Sequence, residues 1–149
     1  MTAHGGGTAA RRPWHLWLVA IAMFALYIGG ARDYLLILVG DTEYIHGQFG
    51  PGGLAYFTDY PQALRVVWTV TILGGLIAPL LLMARSRLSF PTAAIATAAQ
   101  FALLVATFVA LDRWSMLGAA TAWFDIGVGV VTMLFTWYCW TLRRRGVLA

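Results

Sequence analysis

Few side chains in this 149-residue sequence could do chemistry, and they are widely spaced. Glu43 and His46 stand three residues apart, the helical spacing of a carboxylate and a histidine that share a metal, and Asp41 lies close by. Two or three ligand types in a loop are a weak signal, and a solvated polar loop explains these residues better. Cys139 is the only cysteine, which excludes an internal disulfide and a redox-active cysteine pair. The sequence therefore predicts no catalytic residue, no metal site and no cofactor.

A second set of polar residues interrupts or borders the apolar runs of the chain. Pairing among its arginines and aspartates would lower the cost of placing charge near hydrocarbon, and the same residues could instead line a path for a small solute or a proton. Gln100, the most deeply placed of them, is expected to hydrogen-bond a threonine of a neighbouring helix: Thr69, Thr71 or Thr132. The complete set is Arg32, Asp33, Arg65, Gln100, Asp112, Arg113 and Asp125.

The elements that must position these residues follow from composition. Hydrophobic residues make up 60% of the chain and charged residues only 11%, with a mean hydropathy of +0.75, and these values are typical of a membrane protein. Because a helix needs about 20 residues to cross a bilayer, the spacing of the charges predicts an all-α bundle of four transmembrane helices. We place the helices near 14–38, 63–84, 91–111 and 120–142, within one domain at 14–142.

The arginines predict how the helices are threaded. All ten basic residues are arginine, and seven of them flank one side of the predicted bundle. The positive-inside rule then places both termini in the cytoplasm, as a flexible tail at 1–13 and a basic tail at 143–149. Anionic lipid head groups explain the net charge of +4 better than nucleic acid does, because no basic run with interleaved aromatic residues faces water. We expect no nucleic-acid partner.

Two features predict contact surfaces. A row of alanines recurs every fourth residue on the third helix, and such a row allows another helix to approach closely. We expect this partner helix to lie within the bundle rather than in another chain. The row consists of Ala94, Ala98, Ala102, Ala106 and Ala110. The outer loop at 41–62 is the longest connection. Its segment LAYFTDY is expected to form a short amphipathic helix at the membrane interface, with its aromatic side toward lipid.

Several short motifs resemble a known family. They are RPWHLW at 12–17, the GxARDY stretch ending at Tyr34, AYFxxYP at 55–61, LLLMARSR at 80–87 and the RRRGVL tail. Together they resemble a family of small proteobacterial membrane proteins with four spans, often named "sugar transporter". The resemblance implies a location in the bacterial inner membrane and assigns no site residue.

Two functions are consistent with these observations. The first is a non-enzymatic accessory or assembly subunit that packs against itself or a larger membrane complex through the alanine row and the outer loop. The alternative is an oligomeric transporter of a small, sugar-like solute, with Asp33, Gln100 and Asp125 along its path. Both place the chain in a lipid bilayer, with a homo-oligomer or a larger complex as its working form.

Overall fold

The computed structural model describes residues 13–149, which fold into helices joined by short connections. Four of the helices are long and three are short, and no strand is present in the described part of the chain, which confirms the predicted all-α bundle. In chain order, the helices are α1 (Trp14–Leu38), α2 (Thr42–Phe49), α3 (Gly53–Thr58), α4 (Gln62–Met83), α5 (Ser89–Ala110), α6 (Arg113–Leu117) and α7 (Ala119–Arg144).

The long helices α1, α4, α5 and α7 are each long and apolar enough to cross a bilayer. The chain is therefore a multi-pass membrane protein. With 25 residues, α1 extends about 37 Å and continues unbroken past Arg32 and Asp33. Residues 1–12, which carry most of the predicted N-terminal tail and two of the arginines used to orient the chain, lie outside the described residues.

The four long helices lie side by side in chain order. Contacts are extensive between α1 and α4, between α4 and α5, and between α5 and α7, whereas α1 and α7 touch only at a few points. Glycines allow the close approaches: a Cβ atom on Gly75 would lie 2.1 Å from the ring of Tyr27, and one on Gly74 would lie 2.9 Å from Ala96. We call the end that holds Trp14 the base end and the opposite end the cap end.

The base half of the bundle is tightly packed. Its core joins all four long helices through side chains that are almost wholly buried, including Leu16, Met23, Leu82, Phe135 and Cys139. The predicted basic tail differs from expectation, because α7 extends to Arg144 and the residues after it fold back. The amide of Ala149 donates to the carbonyl of Arg85, the amide of Arg87 donates to the carbonyl of Ala149, and Leu148 joins the core.

The cap end is covered by the three short helices, which we call the cap. Asp41 begins α2 by accepting a hydrogen bond from the amide of Tyr44 at 2.9 Å. A second core lies between the cap and the ends of α1 and α4 and consists of Ile37, Ile45, Tyr56, Phe57, Tyr60 and Leu117. The expected amphipathic helix is present as α3, but the expected direction of its aromatic side is wrong: Tyr56 and Phe57 are buried in protein.

The alanine row on α5 does not pack inside the bundle. Ala98, Ala102 and Ala110 are exposed, and the buried side of α5 carries Ala93 and Ala96 instead. The prediction of intramolecular packing through the row is therefore wrong. Alanine is so frequent on α5 that several small-residue ridges exist, and the one opposite Gly74 of α4 forms the contact. The two other members of the row, Ala94 and Ala106, are half-buried.

Candidate functional site

A cavity of about 620 Å³ lies between the long helices in the cap half of the bundle. Its volume is within the range of ligand-binding pockets, roughly 300–1,000 Å³. All four long helices line it, together with Gln48 and Phe49 of α2 and Arg113 of α6. Toward the base end the lining stops at Ala25, Ile72, Gln100 and Val128. The packed base half begins beyond these residues, so the cavity is closed on that side.

The floor of the cavity is held together by hydroxyl groups. Tyr27 of α1 and Thr132 of α7 share a hydrogen bond of 2.7 Å that joins the two outermost helices of the row. The Thr71 hydroxyl donates to the carbonyl of Val67 within α4. On the wall nearer the cap, the Thr107 hydroxyl donates to the carbonyl of Leu103 within α5. These internal bonds allow hydroxyl groups to line an apolar cavity without being left unpaired.

An ion pair stands on the cap side of the cavity. The Arg113 guanidinium donates through Nε to the carboxylate of Asp125, and both side chains are mostly buried. Arg113 also donates to the Tyr56 hydroxyl at 3.3 Å and lies over the Tyr56 ring. Burial alone would lower the pKa of Arg113, but the Asp125 carboxylate and Tyr56 raise it above its ordinary value. The arginine is therefore charged at every physiological pH.

Asp33 of α1 also lines the cavity. Its carboxylate accepts a hydrogen bond from the Tyr44 hydroxyl of α2 and lies 3.8 Å from the exposed guanidinium of Arg32. Arg32 in turn lies over the Tyr44 ring, 5.3 Å from its centroid. Burial, together with the neighbouring carboxylate, raises the pKa of Tyr44 to about 12. These contacts fasten the cap to the end of α1.

Gln100 lies on the cavity floor with a side chain that lacks a hydrogen-bond partner among the described residues. It is only 8% exposed, and none of the three threonines expected to bind it does so. Thr71 bonds its own helix, Thr132 bonds Tyr27, and Thr69 shares a bond with Tyr34. The expected packing role of Gln100 is therefore wrong: its amide is available to the cavity.

The structure divides the predicted set of polar residues. Five of its seven members line the cavity, namely Arg32, Asp33, Gln100, Arg113 and Asp125.

Two other members of the set lie elsewhere. Arg65 donates to the carbonyl of Phe57 at 3.1 Å, and Asp112 is an exposed residue with a left-handed backbone (φ 45°). Neither forms an ion pair within residues 13–149. A single closed network of three arginines and three aspartates is therefore wrong. The carbonyl of the neighbouring cap helix is closer to Arg65 than any aspartate.

Glu43 and His46 lie away from the cavity. Both side chains are exposed on α2, and Asp41 caps this helix. Within residues 13–149, no three histidine, cysteine, aspartate or glutamate side chains lie close enough together to hold a metal ion. Cys139 is buried in the base half, on the far side of the floor.

Sequence reasoning missed several residues of the site. The LAYFTDY segment is predicted to turn its aromatic side toward lipid, yet its Tyr56 binds the buried arginine. The predicted outer loop at 41–62 contains Gln48, which lines the cavity from a helix. The signal for α2 is Asp41 followed by eight residues that lack proline, because aspartate is a strong N-cap. The sequence contained no comparable signal for the bond between Tyr27 and Thr132, which lie 105 residues apart.

In comparisons with known proteins, no family model, no curated protein and no solved structure matches the chain.

Proposed function

We propose that this chain is a non-enzymatic membrane protein of the bacterial inner membrane that holds a small molecule in its cap-half cavity and acts as an accessory subunit. The observation that carries the proposal is the cavity, whose largely apolar lining carries a few polar groups and which is closed toward the base end. A cavity that is closed at its base end suits binding and presentation of a molecule, whereas a stand-alone transporter requires access from both sides of the membrane.

The exposed alanine row supports the accessory role. Ala98 and Ala102 leave a shallow, small-residue surface on the outside of α5, and in lipid such surfaces allow helices of different chains to pack closely. We propose that a second copy or a larger membrane subunit occupies this surface. The motifs that resemble the four-span family support the inner-membrane location, and the arginine distribution supports cytoplasmic termini.

The test is gentle extraction from the native membrane into nanodiscs, followed by the mass of the intact particle. We expect a particle heavier than one chain by a protein partner or a second copy, and also by a small molecule in stoichiometric amount. Replacing Ala98 and Ala102 by leucine is expected to reduce the association. The matched control is Ala22→Leu, at an exposed alanine of α1. A single chain with nothing bound would overturn the proposal.

An oligomeric transporter of a small, sugar-like solute is the second candidate. One observation favours it: Asp33, Gln100 and Asp125, the three residues expected along a solute path, line the same cavity. The substitution Gln100→Leu separates the two functions. If the chain is a transporter, the variant loses solute uptake by cells while the particle mass stays unchanged. If the chain is an accessory subunit, solute uptake does not depend on the chain, even before the substitution.

A further inference from the structure

The cavity has a side opening between α1 and α7. The residues along its edges are exposed, namely Ala25 and Gly29 on α1 and Ala120 and Phe124 on α7, although all four line the cavity. A Cβ atom on Gly29 would meet nothing within 4 Å. Since α1 and α7 are the two ends of the row of helices and touch little, this opening, which we call the seam, faces the hydrocarbon of the bilayer.

The polar groups inside the cavity indicate what kind of molecule it receives. Gln100 offers an amide with both a donor and an acceptor at the floor, where it is more than nine-tenths buried and lacks a protein partner in the described part of the chain. The amide faces the cavity, because the Ser89 hydroxyl is the one side-chain group in the described part of the chain that is shut off from solvent without a partner. A ligand in the cavity can therefore bond the amide of Gln100. Carbonyl and hydroxyl groups are the simplest complements to a carboxamide.

The charges around the cavity favour an uncharged ligand. The lining contains two arginines and two aspartates, so its formal charge is zero. Arg113 is joined to Asp125, and Arg32 lies beside Asp33. An anion or a cation would have to compete with these internal partners, and burying a charge without a partner is costly.

We propose that the cavity binds the uncharged head group of a membrane lipid that carries carbonyl or hydroxyl groups, with the head at Gln100 and the apolar tail leaving through the seam. The proposal rests on the proposed function and deepens it by naming the class of ligand and its route. A cavity of 620 Å³ holds a head group rather than a whole lipid, and the seam lets the tail remain in hydrocarbon.

The experiment uses the full chain in nanodiscs and two uncharged probes, a short-tailed quinone for carbonyl chemistry and a diacylglycerol for hydroxyl chemistry. Phosphatidylglycerol serves as the charged comparison, and free glucose serves as the water-soluble one. Binding is measured by native mass spectrometry and by the fluorescence of the tryptophans, among which Trp68 lines the cavity. We expect one uncharged lipid per chain, and the preferred probe identifies the head-group chemistry.

Two variants test the position of the ligand. Gly29→Phe fills the seam, and its control is Gly127→Phe, at a glycine of α7 that is also open but lies outside the cavity lining. We expect Gly29→Phe to weaken lipid binding about tenfold or more, a change of about 1.4 kcal/mol, and Gly127→Phe to leave it unchanged. Gln100→Leu is expected to weaken binding by a similar factor while the helical content stays unchanged.

The results distinguish failure of this inference from failure of the proposed function. Binding of glucose or of phosphatidylglycerol in preference to both uncharged lipids would overturn the inference and leave a ligand-holding cavity. Equal loss in the Gly29→Phe and Gly127→Phe variants would overturn entry through the seam. If no probe binds and the native particle carries no small molecule, both the inference and the proposed function are wrong.

Discussion

The base half and the cap half of this bundle are built from the same four helices but are packed in different ways. In the base half, side chains such as Leu82 and Cys139 are wholly buried and all four helices meet in one core. In the cap half, the helices surround a cavity, and aromatic residues of the cap provide the core instead. Close contacts at Gly74 and Gly75 hold the helices together in the base half. In the cap half the same helices stand further apart, and the cavity lies between them.

The largest effect that we expect from a test of this comparison comes from removing one partner of the ion pair in the cap half. Asp125→Ala leaves Arg113 mostly buried without its carboxylate, and removal of one partner of a buried pair costs about 3–5 kcal/mol. The double variant Arg113→Met with Asp125→Leu is expected to recover most of this loss. Denaturant unfolding in detergent, followed by circular dichroism, measures both. Equal stability of the single variant and the unchanged protein would show that the pair does not support the cap half.

Matched truncations in the two halves provide the second test. Leu82→Ala creates a void in a filled core and is expected to lower the free energy of unfolding by about 3 kcal/mol. Leu103→Ala removes the same atoms beside an existing cavity and is expected to cost about 1 kcal/mol or less. The same unfolding experiment compares them. If both variants lose equal stability, the cavity is filled in the working protein, and lipid removal should then separate them.

Glycine substitutions sharpen the contrast between the tight crossing and the open seam. Gly75→Ala forces a methyl group into the ring of Tyr27 and is expected to destabilise the protein by about 2 kcal/mol through overpacking. Gly29→Ala meets no atom and is expected to stabilise α1 by up to about 1 kcal/mol through helix propensity. Thermal unfolding in the same detergent gives both signs. Destabilisation by Gly29→Ala would mean that α1 and α7 close against each other.

The smallest effect concerns the attachment of the cap to α1. The pKa of Tyr44 is about 12 in the folded protein against an ordinary value of 10, so the folded chain keeps a proton that the unfolded chain loses. The resulting stabilisation is complete below pH 10 and disappears as the pH rises toward 12. Tyr44→Phe should remove this part of the pH dependence. Unfolding curves collected across that range test it, and an identical slope for both proteins would contradict it.

Much of the fold could be predicted from the sequence because long apolar runs between arginines have few alternatives to membrane helices. The short helices could not be predicted in the same way. The segment with Tyr56, Phe57 and Tyr60 has the composition both of a membrane interface and of a small aromatic core. Only the position of the segment over the ends of α1 and α4 decides between these environments, and this position depends on contacts far apart in the chain.

The candidate site was predictable in part for a related reason. Charges near the ends of apolar runs indicate which residues gather at one side of the bundle, and five of the seven predicted polar residues line the cavity. Their pairing depends on the rotation of each helix. Arg65 donates to a carbonyl of α3. Gln100 has no protein partner in the described chain, because the neighbouring threonines bond their own helices or tyrosines. Residue type alone does not fix such choices.

The side-by-side order of the helices also bears on how the bundle is made. Each long helix packs mainly against the one synthesised before it, so the row can grow by addition as the chain enters the membrane. Only a few contacts join the first helix to the last: Tyr27 with Thr132 at mid-depth, and His15 with Tyr138 at the base end. These bonds form only after α7 has been inserted. The cavity floor is therefore among the last parts of the molecule to be completed during biosynthesis.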